Sequence, residues 1–222
     1  MAILDHQPIH VITAAAVGLF LIVLAFFANR RLARTEQCLV PLDKLTPSTF
    51  FELLVESLLN LMEGVLGEEK AQKYFPLIGG LFTYIFFCNL VGLIPGLAPP
   101  TDNINTNAAC AILVFIYYNY LGIKEQGFVN YLKHFMGPVI WLGPLMLVIE
   151  LISHLVRPVS LSVRLFGNMT GDHLVLGVFS QLTPVLIPVI FLFLGLFISF
   201  IQAFVFSLLS IVYIGLATEE TH

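Results

Sequence analysis

Apolar residues in this chain fall into long runs broken by short polar segments, and the runs set the expected elements. Residues 9–28 are predominantly apolar and long enough for one helical crossing of a ~30 Å hydrocarbon layer. At residues 47–70 the pattern changes. Glu52, Glu56, Asn60 and Glu63 recur at helical spacing, while Phe51, Leu54, Val55, Leu58, Leu59 and Met62 fill the other face. That is an amphipathic helix too polar to cross, expected to lie along the cytoplasmic interface, with Thr46 as N-cap and Pro47 at its first position. Its acidic stripe argues against lipid phosphates and for solvent or a protein partner. Residues 75–96 form the second span, closed by Ile94-Pro95-Gly96, with Asn89 inside it as a candidate for hydrogen bonding between helices. Gly92 and Gly96 have GxxxG spacing, but Pro95 between them makes a helix end the better reading. A loop of turn formers from Ala98 to Asn107 leads into a third span at residues 106–122.

The last two runs, residues 138–178 and 185–217, are overlong, and Pro184 and Pro188 turn the chain between them. Two readings of the first stand open on the residues alone. Residues 139–156 could be a complete span, which leaves Arg157 and Arg164 in an outside loop. Alternatively residues 138–178 are one helix, ~60 Å long at ~1.5 Å per residue, which must tilt and carries Arg164 to depth.

Composition places these runs in a bilayer. Hydrophobic residues make up 58% and charged residues 11%, with mean hydropathy +0.93, far from the balance of a soluble domain. Continuous runs suit helices, where a barrel would show short alternating segments. The fold class is therefore an all-α integral membrane protein, one membrane domain over residues 1–222. Basic residues follow the first span (Arg30, Arg31, Arg34) and the third (Lys124, Lys133). This bias sets the N-terminus outside and the C-terminus in the cytoplasm. Residues 1–10 carry no basic segment, so the first span is expected to be retained. Cys38, Cys88 and Cys110 have neither metal nor disulfide spacing, and His6 and His10, four apart, lack a third ligand. With no phosphate-binding glycine loop and no nucleophile constellation, the chain is expected to be non-catalytic and to need no cofactor or metal, with no nucleic acid among its partners.

Candidate chemistry concentrates in Arg157-Pro-Val-Ser160-Leu-Ser-Val-Arg164-Leu-Phe-Gly-Asn168-Met-Thr-Gly-Asp172-His173. Ionisable groups between such apolar runs are costly and mark an ion path or substrate site. On a helix Arg157, Ser160, Arg164, Asn168 and Gly171 share a face, with Glu150 near it ~21 Å away and Asp172 ~12 Å the other way. A permanent cation therefore stands between displaced titratable groups, an arrangement suited to two proton paths divided by a charge. Arginine is apt there because burial does not strip its proton.

Ser160-Leu-Ser-Val-Arg164-Leu-Phe-Gly-Asn168 resembles the signature of subunit a of rotary, F-type ATP synthases. So do Asn89-Leu-Val-Gly-Leu-Ile-Pro95, the loop from Pro100 to Thr106, Gln202-Ala-Phe-Val-Phe206 and Ile211-Val-Tyr213, and the resemblance spans residues 47–222. It implies five spanning helices plus an interfacial one, with the last two spans a long tilted hairpin against a ring of c subunits. It implies that Arg164 meets the rotor carboxylate and blocks short-circuit between half-channels, that Asn168, Gln202 and Ser160 lie near it, and that Glu150 belongs to the cytoplasmic half-channel. Partners implied are the c-ring, the b subunits of the peripheral stalk, other ATP synthase subunits and the lipid of a bacterial inner membrane. One departure stands out. Many relatives carry Glu where this chain has His173, and His or Glu where it has Gly195, so Asp172 and His173 together are expected to form the outer relay. A sodium-coupled version of the subunit and, from another class, a secondary transporter with an intramembrane arginine are the alternatives; no internal repeat supports the latter.

Overall fold

The computed structural model describes residues 7–32, 47–94, 97, 99–127, 131, 143–182 and 186–218. Thr46, Cys38, Arg34, Lys133 and Pro184, used in the sequence reading, lie outside them. Among the described residues there are six α-helices: α1 Gln7–Leu32, α2 Pro47–Leu66, α3 Glu68–Val91, α4 Ile104–Gln126, α5 Gly143–Leu182 and α6 Leu186–Thr218. Among the described residues there is no strand. Helices α3 to α6 are long and apolar enough to cross a membrane, and α1 contributes a shorter apolar stretch, His10–Phe26. The chain is an all-helical membrane protein.

The helix ends follow local chemistry. The segment expected as one interfacial helix over 47–70 breaks at Gly67, whose φ of 80° suits glycine, and α3 starts at Glu68 instead of residue 75. Glu68 and Glu69 then occupy its first turn, where the helix dipole favours negative charge. Gly92 caps the other end of α3, consistent with reading this position as a helix end. A 3₁₀ turn at Pro100–Asp102 follows, and the Asn103 side chain accepts from Asn105 N at 2.9 Å, so α4 begins earlier than residue 106. Helix α5 runs unbroken for 40 residues through Pro158. This decides for the single long helix over a span ending at residue 156.

The bundle core joins Ile78, Phe82 and Ile85 of α3, Val114 and Tyr118 of α4, Leu161 and Leu165 of α5, and Phe206, Ile211 and Ile214 of α6. Helix α2 seals one side with Leu58 and Met62 buried and Glu56 and Asn60 exposed. Phe82 and Phe86 meet Phe200 edge-on at 5.9 and 6.1 Å. In lipid, such close van der Waals packing takes over the role that water expulsion plays in soluble cores. Asn89 does not act as glue: it is fully buried, and neither amide atom has a hydrogen-bond partner among the described residues.

Polar contacts tie the two ends of the bundle. At one end, termed the clasp, Glu125 of α4 accepts a 2.6 Å bond from the Tyr74 hydroxyl of α3 and lies 3.5 and 3.6 Å from the Lys70 and Lys73 ammonium groups. Lys70 donates to Thr218 O at 2.8 Å and Gln126 to Ala217 O at 3.1 Å, meeting the last carbonyls of α6. At the loop end, Thr170 Oγ1 donates to Asp102 Oδ1 at 2.7 Å and Asn107 Nδ2 to Thr101 O at 2.8 Å. Glu125→Ala is expected to cost about 1–3 kcal/mol, chiefly from the bond Tyr74 loses. The measurement is a lower thermal midpoint of the detergent-solubilised protein, with Lys73→Ala, whose ammonium is mostly exposed, changing little.

Candidate functional site

Helix α5 presents two unlike faces. Leu161, Leu165 and Met169 are buried against the bundle, whereas Val156, Val159 and Val163 point outward together with Ser160, Arg164 and Asn168. Arg164 has no ion-pair or hydrogen-bond partner among the described residues. Arg157, seven residues earlier, behaves differently. Its Nη2 lies 3.3 Å from Glu150 Oε1, and its guanidinium stands 5.2 Å over the Tyr213 ring of α6. The single arginine stripe read from the sequence is therefore split: the heptad spacing keeps both on nearly one face, but Arg157 sits at its inner edge and is drawn into the bundle.

One turn beyond Arg164, Asn168 Nδ2 donates to Gln202 Oε1 at 2.6 Å, and Gln202 is 5% exposed on α6. The two residues line a groove of about 570 Å³ between α5 and α6, together with Gly167, Gly171, Asp172, Leu194 and Ile198. Asp172 and His173 are neighbours in sequence but face different helices, since successive residues on a helix differ by ~100°. A Cβ placed on Gly195 of α6 would lie 2.6 Å from Asp172 Oδ2, and one on Gly92 after α3 would lie 2.8 Å from His173 Nε2. Each side chain occupies space that a glycine on the facing segment leaves. His173 Nε2 is buried without a partner among the described residues, as are both amide atoms of Asn89, Thr101 Oγ1 and Asn107 Oδ1, all towards the loop end.

A second polar site lies towards the clasp. A chamber of about 110 Å³ is bounded by Tyr118, Tyr131, Glu150, His154, Arg157, Leu216 and Ala217. His154 Nε2 is 2.8 Å from Asn119 Oδ1 and 3.4 Å from the Tyr118 hydroxyl, and the Tyr131 hydroxyl donates to Asn119 Oδ1 at 2.9 Å. The sequence reading named Glu150 but missed His154, Tyr118, Asn119 and Tyr131. The signal was present in part: Glu150, His154 and Arg157 recur at spacings of four and three, one polar stripe on the apolar helix. Along the axis His154 is ~15 Å from Arg164 on one side and Asp172 ~12 Å on the other. Among the described residues no cluster of His, Cys, Asp and Glu could hold a metal ion.

Comparison with known proteins is unambiguous. The family model described as ATP synthase A chain matches residues 10–215. The chain is similar to ATP synthase subunit a of Bdellovibrio bacteriovorus, 45% identical over 217 residues that cover 98% of this chain and 94% of that one. It is likewise similar to ATP synthase subunit a of Geobacter sulfurreducens, at 45% identity with 97% and 93% covered. With ATP synthase subunit a of Trichlorobacter lovleyi the identity is 48%, and 98% and 90% are covered.

The close approach at Gly195 gives a prediction. Gly195→Ala is expected to cost about 1–3 kcal/mol, because the new methyl meets both Asp172 and Leu93, the latter 2.7 Å away. Adding Asp172→Gly should return about half of that loss. A double-mutant cycle on thermal midpoints measures the coupling, and strictly additive effects would contradict the shared volume.

Proposed function

The chain belongs to the ATP synthase A chain family, and from that premise we propose that it is the proton-translocating stator subunit of the membrane sector, with Arg164 dividing two aqueous half-channels. The observation that carries this reading is the exposed Arg164, without a partner in its own chain and flanked along α5 by polar sites on either side. A guanidinium stays protonated in an apolar site, and a carboxylate nearby is held ionised by it. A rotor carboxylic acid of a c subunit sliding along the outer face of α5 is therefore made to release its proton opposite Arg164, and is reprotonated after passing it. The stretch around Ser160, Arg164 and Asn168 is the surface swept by the c-ring. The hydrogen bond from Asn168 to Gln202 locks α5 to α6 at that height, so the cation is presented from a rigid pair of helices.

Two paths serve this exchange. The outer one runs by Asp172 and His173 through Asn89, Thr101 and Asn107, whose buried unpartnered atoms are of the kind that ordered water satisfies. The inner one passes the chamber beside Glu150. The clasp then faces the cytoplasm and the loop end the outside of a bacterial inner membrane, with the N-terminus outside. The nucleotide chemistry resides in other subunits, and b subunits of the peripheral stalk hold the chain against rotation. Each charge passing the full potential is worth about 2.3 kcal/mol per 100 mV, so a leak around Arg164 would dissipate what the rotor is driven by.

Vesicles containing the assembled complex test the arrangement. Arg164→Ala should lower ATP-driven proton pumping by about a hundredfold or more, on the scale of ~3–5 kcal/mol for a charge left without its partner, and should open passive proton conduction. Arg164→Lys should also lose pumping, because the planar fork is not reproduced by an ammonium. Undiminished pumping in Arg164→Ala would make the arginine structural. Asp172→Asn and His173→Ala are each expected to slow pumping by about a hundredfold, the lower end of the range for a displaced proton-transfer group. Full rates in both would remove them from the outer path.

A further inference from the structure

Along the bundle side of α5, His154 is followed seven positions later by Leu161, and Leu165, Met169 and His173 come at four-residue intervals after it. Such spacings keep successive side chains on one ridge of a helix. The ridge is polar at its ends and apolar between them, with Leu161, Leu165 and Met169 all buried. The facing side of α4 has the same pattern. Asn107, Ala111, Val114 and Tyr118 recur at spacings of four, three and four, all are buried, and only the outer two are polar. Contacts at both ends, Thr170 to Asp102 and His154 to Asn119, set α4 antiparallel to α5 and bring Ala111 level with Leu161. From α6 the ring of Phe206 joins the same packed cluster.

Each polar end belongs to a site described above. Tyr118 and His154 bound the chamber towards the clasp. Asn107 Oδ1 and His173 Nε2 are among the buried unpartnered atoms towards the loop end. The two sites therefore approach each other inside the bundle, where Arg164 does not stand between them. Arg164 is exposed on the outer face of α5, whereas Leu161 and Leu165 are buried. The apolar stretch from Asn107 to Tyr118 covers eleven positions, ~16 Å along α4. A proton crosses such a distance only along a chain of hydrogen-bonded groups, and a closed apolar space stays dry. Hydroxyl groups beside the layer do not bridge it. Ser162 and Ser210 donate to carbonyls of their own helices, Pro158 O and Phe206 O, at 2.8 Å each. Ser207 Oγ is buried without a partner among the described residues, but a single hydroxyl does not make a file of waters.

We propose that the layer centred on Leu161, with Leu165, Ala111, Val114 and Phe206, is a dry septum that blocks proton flow between the two polar sites on the bundle side of α5, as Arg164 does on the rotor side. The inference rests on the reading of this chain as an ion-translocating subunit. It gives these residues a duty besides packing, because a polar group inserted at mid-layer shortens the dry path from both sides.

The test is passive proton conduction without ATP by the assembled complex in vesicles, measured beside ATP-driven pumping, for the parent, Leu161→Asn, Leu161→Met, Met62→Asn and Arg164→Ala. Leu161→Asn keeps Arg164 and places an amide at mid-layer. It should raise passive conduction by about tenfold or more, the scale on which one hydrogen-bonding group offsets the cost of a polar species in an apolar space. Leu161→Met is apolar and of similar volume, and should stay near the parental level. Met62→Asn puts the same amide into an equally buried position on α2, away from the line between the two sites, and should destabilise the protein without adding conduction. Parental conduction in Leu161→Asn, or equal conduction in Leu161→Asn and Met62→Asn, would overturn the proposal. If Leu161→Asn does not assemble, Val114→Thr decides, since it adds a hydroxyl to the layer with little change of shape: conduction above the parental level supports the septum, and parental conduction sinks it. Arg164→Ala separates the two levels of argument. Undiminished pumping in that variant removes the reading of the whole subunit, whereas its loss beside a proton-tight Leu161→Asn removes the septum alone.

Discussion

A guanidinium among hydrocarbon chains demands a counter-charge, and α5 carries two that meet the demand in different ways. Arg157 finds Glu150 and the face of Tyr213 within its own chain. Arg164 finds no such group among the described residues and stands on the outward face. Desolvating a charge costs several kcal/mol even after relaxation. The structure is thus complete around one arginine and incomplete around the other, and the incompleteness points outward. What surrounds Arg164 on its own side is rigid: a hydrogen-bonded amide pair one turn away and a packed hairpin behind it. Rigidity there keeps the chain from satisfying the charge by folding back on itself.

The polar sites either side of that cation are built by opposite means. Towards the loop end, glycines at 92 and 195 leave space for His173 and Asp172, and several buried polar atoms stay without protein partners. Towards the clasp, a small chamber is enclosed by phenols and an oriented asparagine, with nearly every polar group engaged. One site is roomy and under-satisfied; the other is tight and nearly satisfied. Both lie within ~12–15 Å of Arg164 along α5, short enough for a few waters or side chains to bridge.

How far the sequence reached depended on whether a feature belonged to one helix. The long runs, the shared face of Ser160, Arg164 and Asn168, and the acid beside a histidine follow from the order of residues along α5, and all were legible; that this face points outward was not. That Asn168 and Gln202 both lie near Arg164 was anticipated only through family resemblance, and their hydrogen bond across 34 residues was not anticipated. The chamber was not anticipated, because Asn119, Tyr131 and His154 come from separate segments and no spacing rule connects them. Local backbone effects also escaped: Gly67 splits what periodicity ran together, and Asn89, read as a donor between helices, is buried without a partner among the described residues. Arg157 shows the limit of helical-wheel reasoning, since a long side chain at the border of two faces goes wherever a carboxylate waits.

The clasp grips main-chain carbonyls of Ala217 and Thr218, not side chains. It is thus indifferent to which residues close α6 but strict about how many precede them. Thr218 lies sixteen positions after Gln202, a gauge length of ~24 Å at ~1.5 Å per residue. With its end held, α6 has a fixed datum from which the height of Gln202, and so of the amide pair beside Arg164, is measured off. A single inserted residue would shift that height by ~1.5 Å and swing the glutamine ~100° around the helix. The clasp works as the end-stop of a ruler, and the length of α6, more than its composition, keeps the amide pair in line.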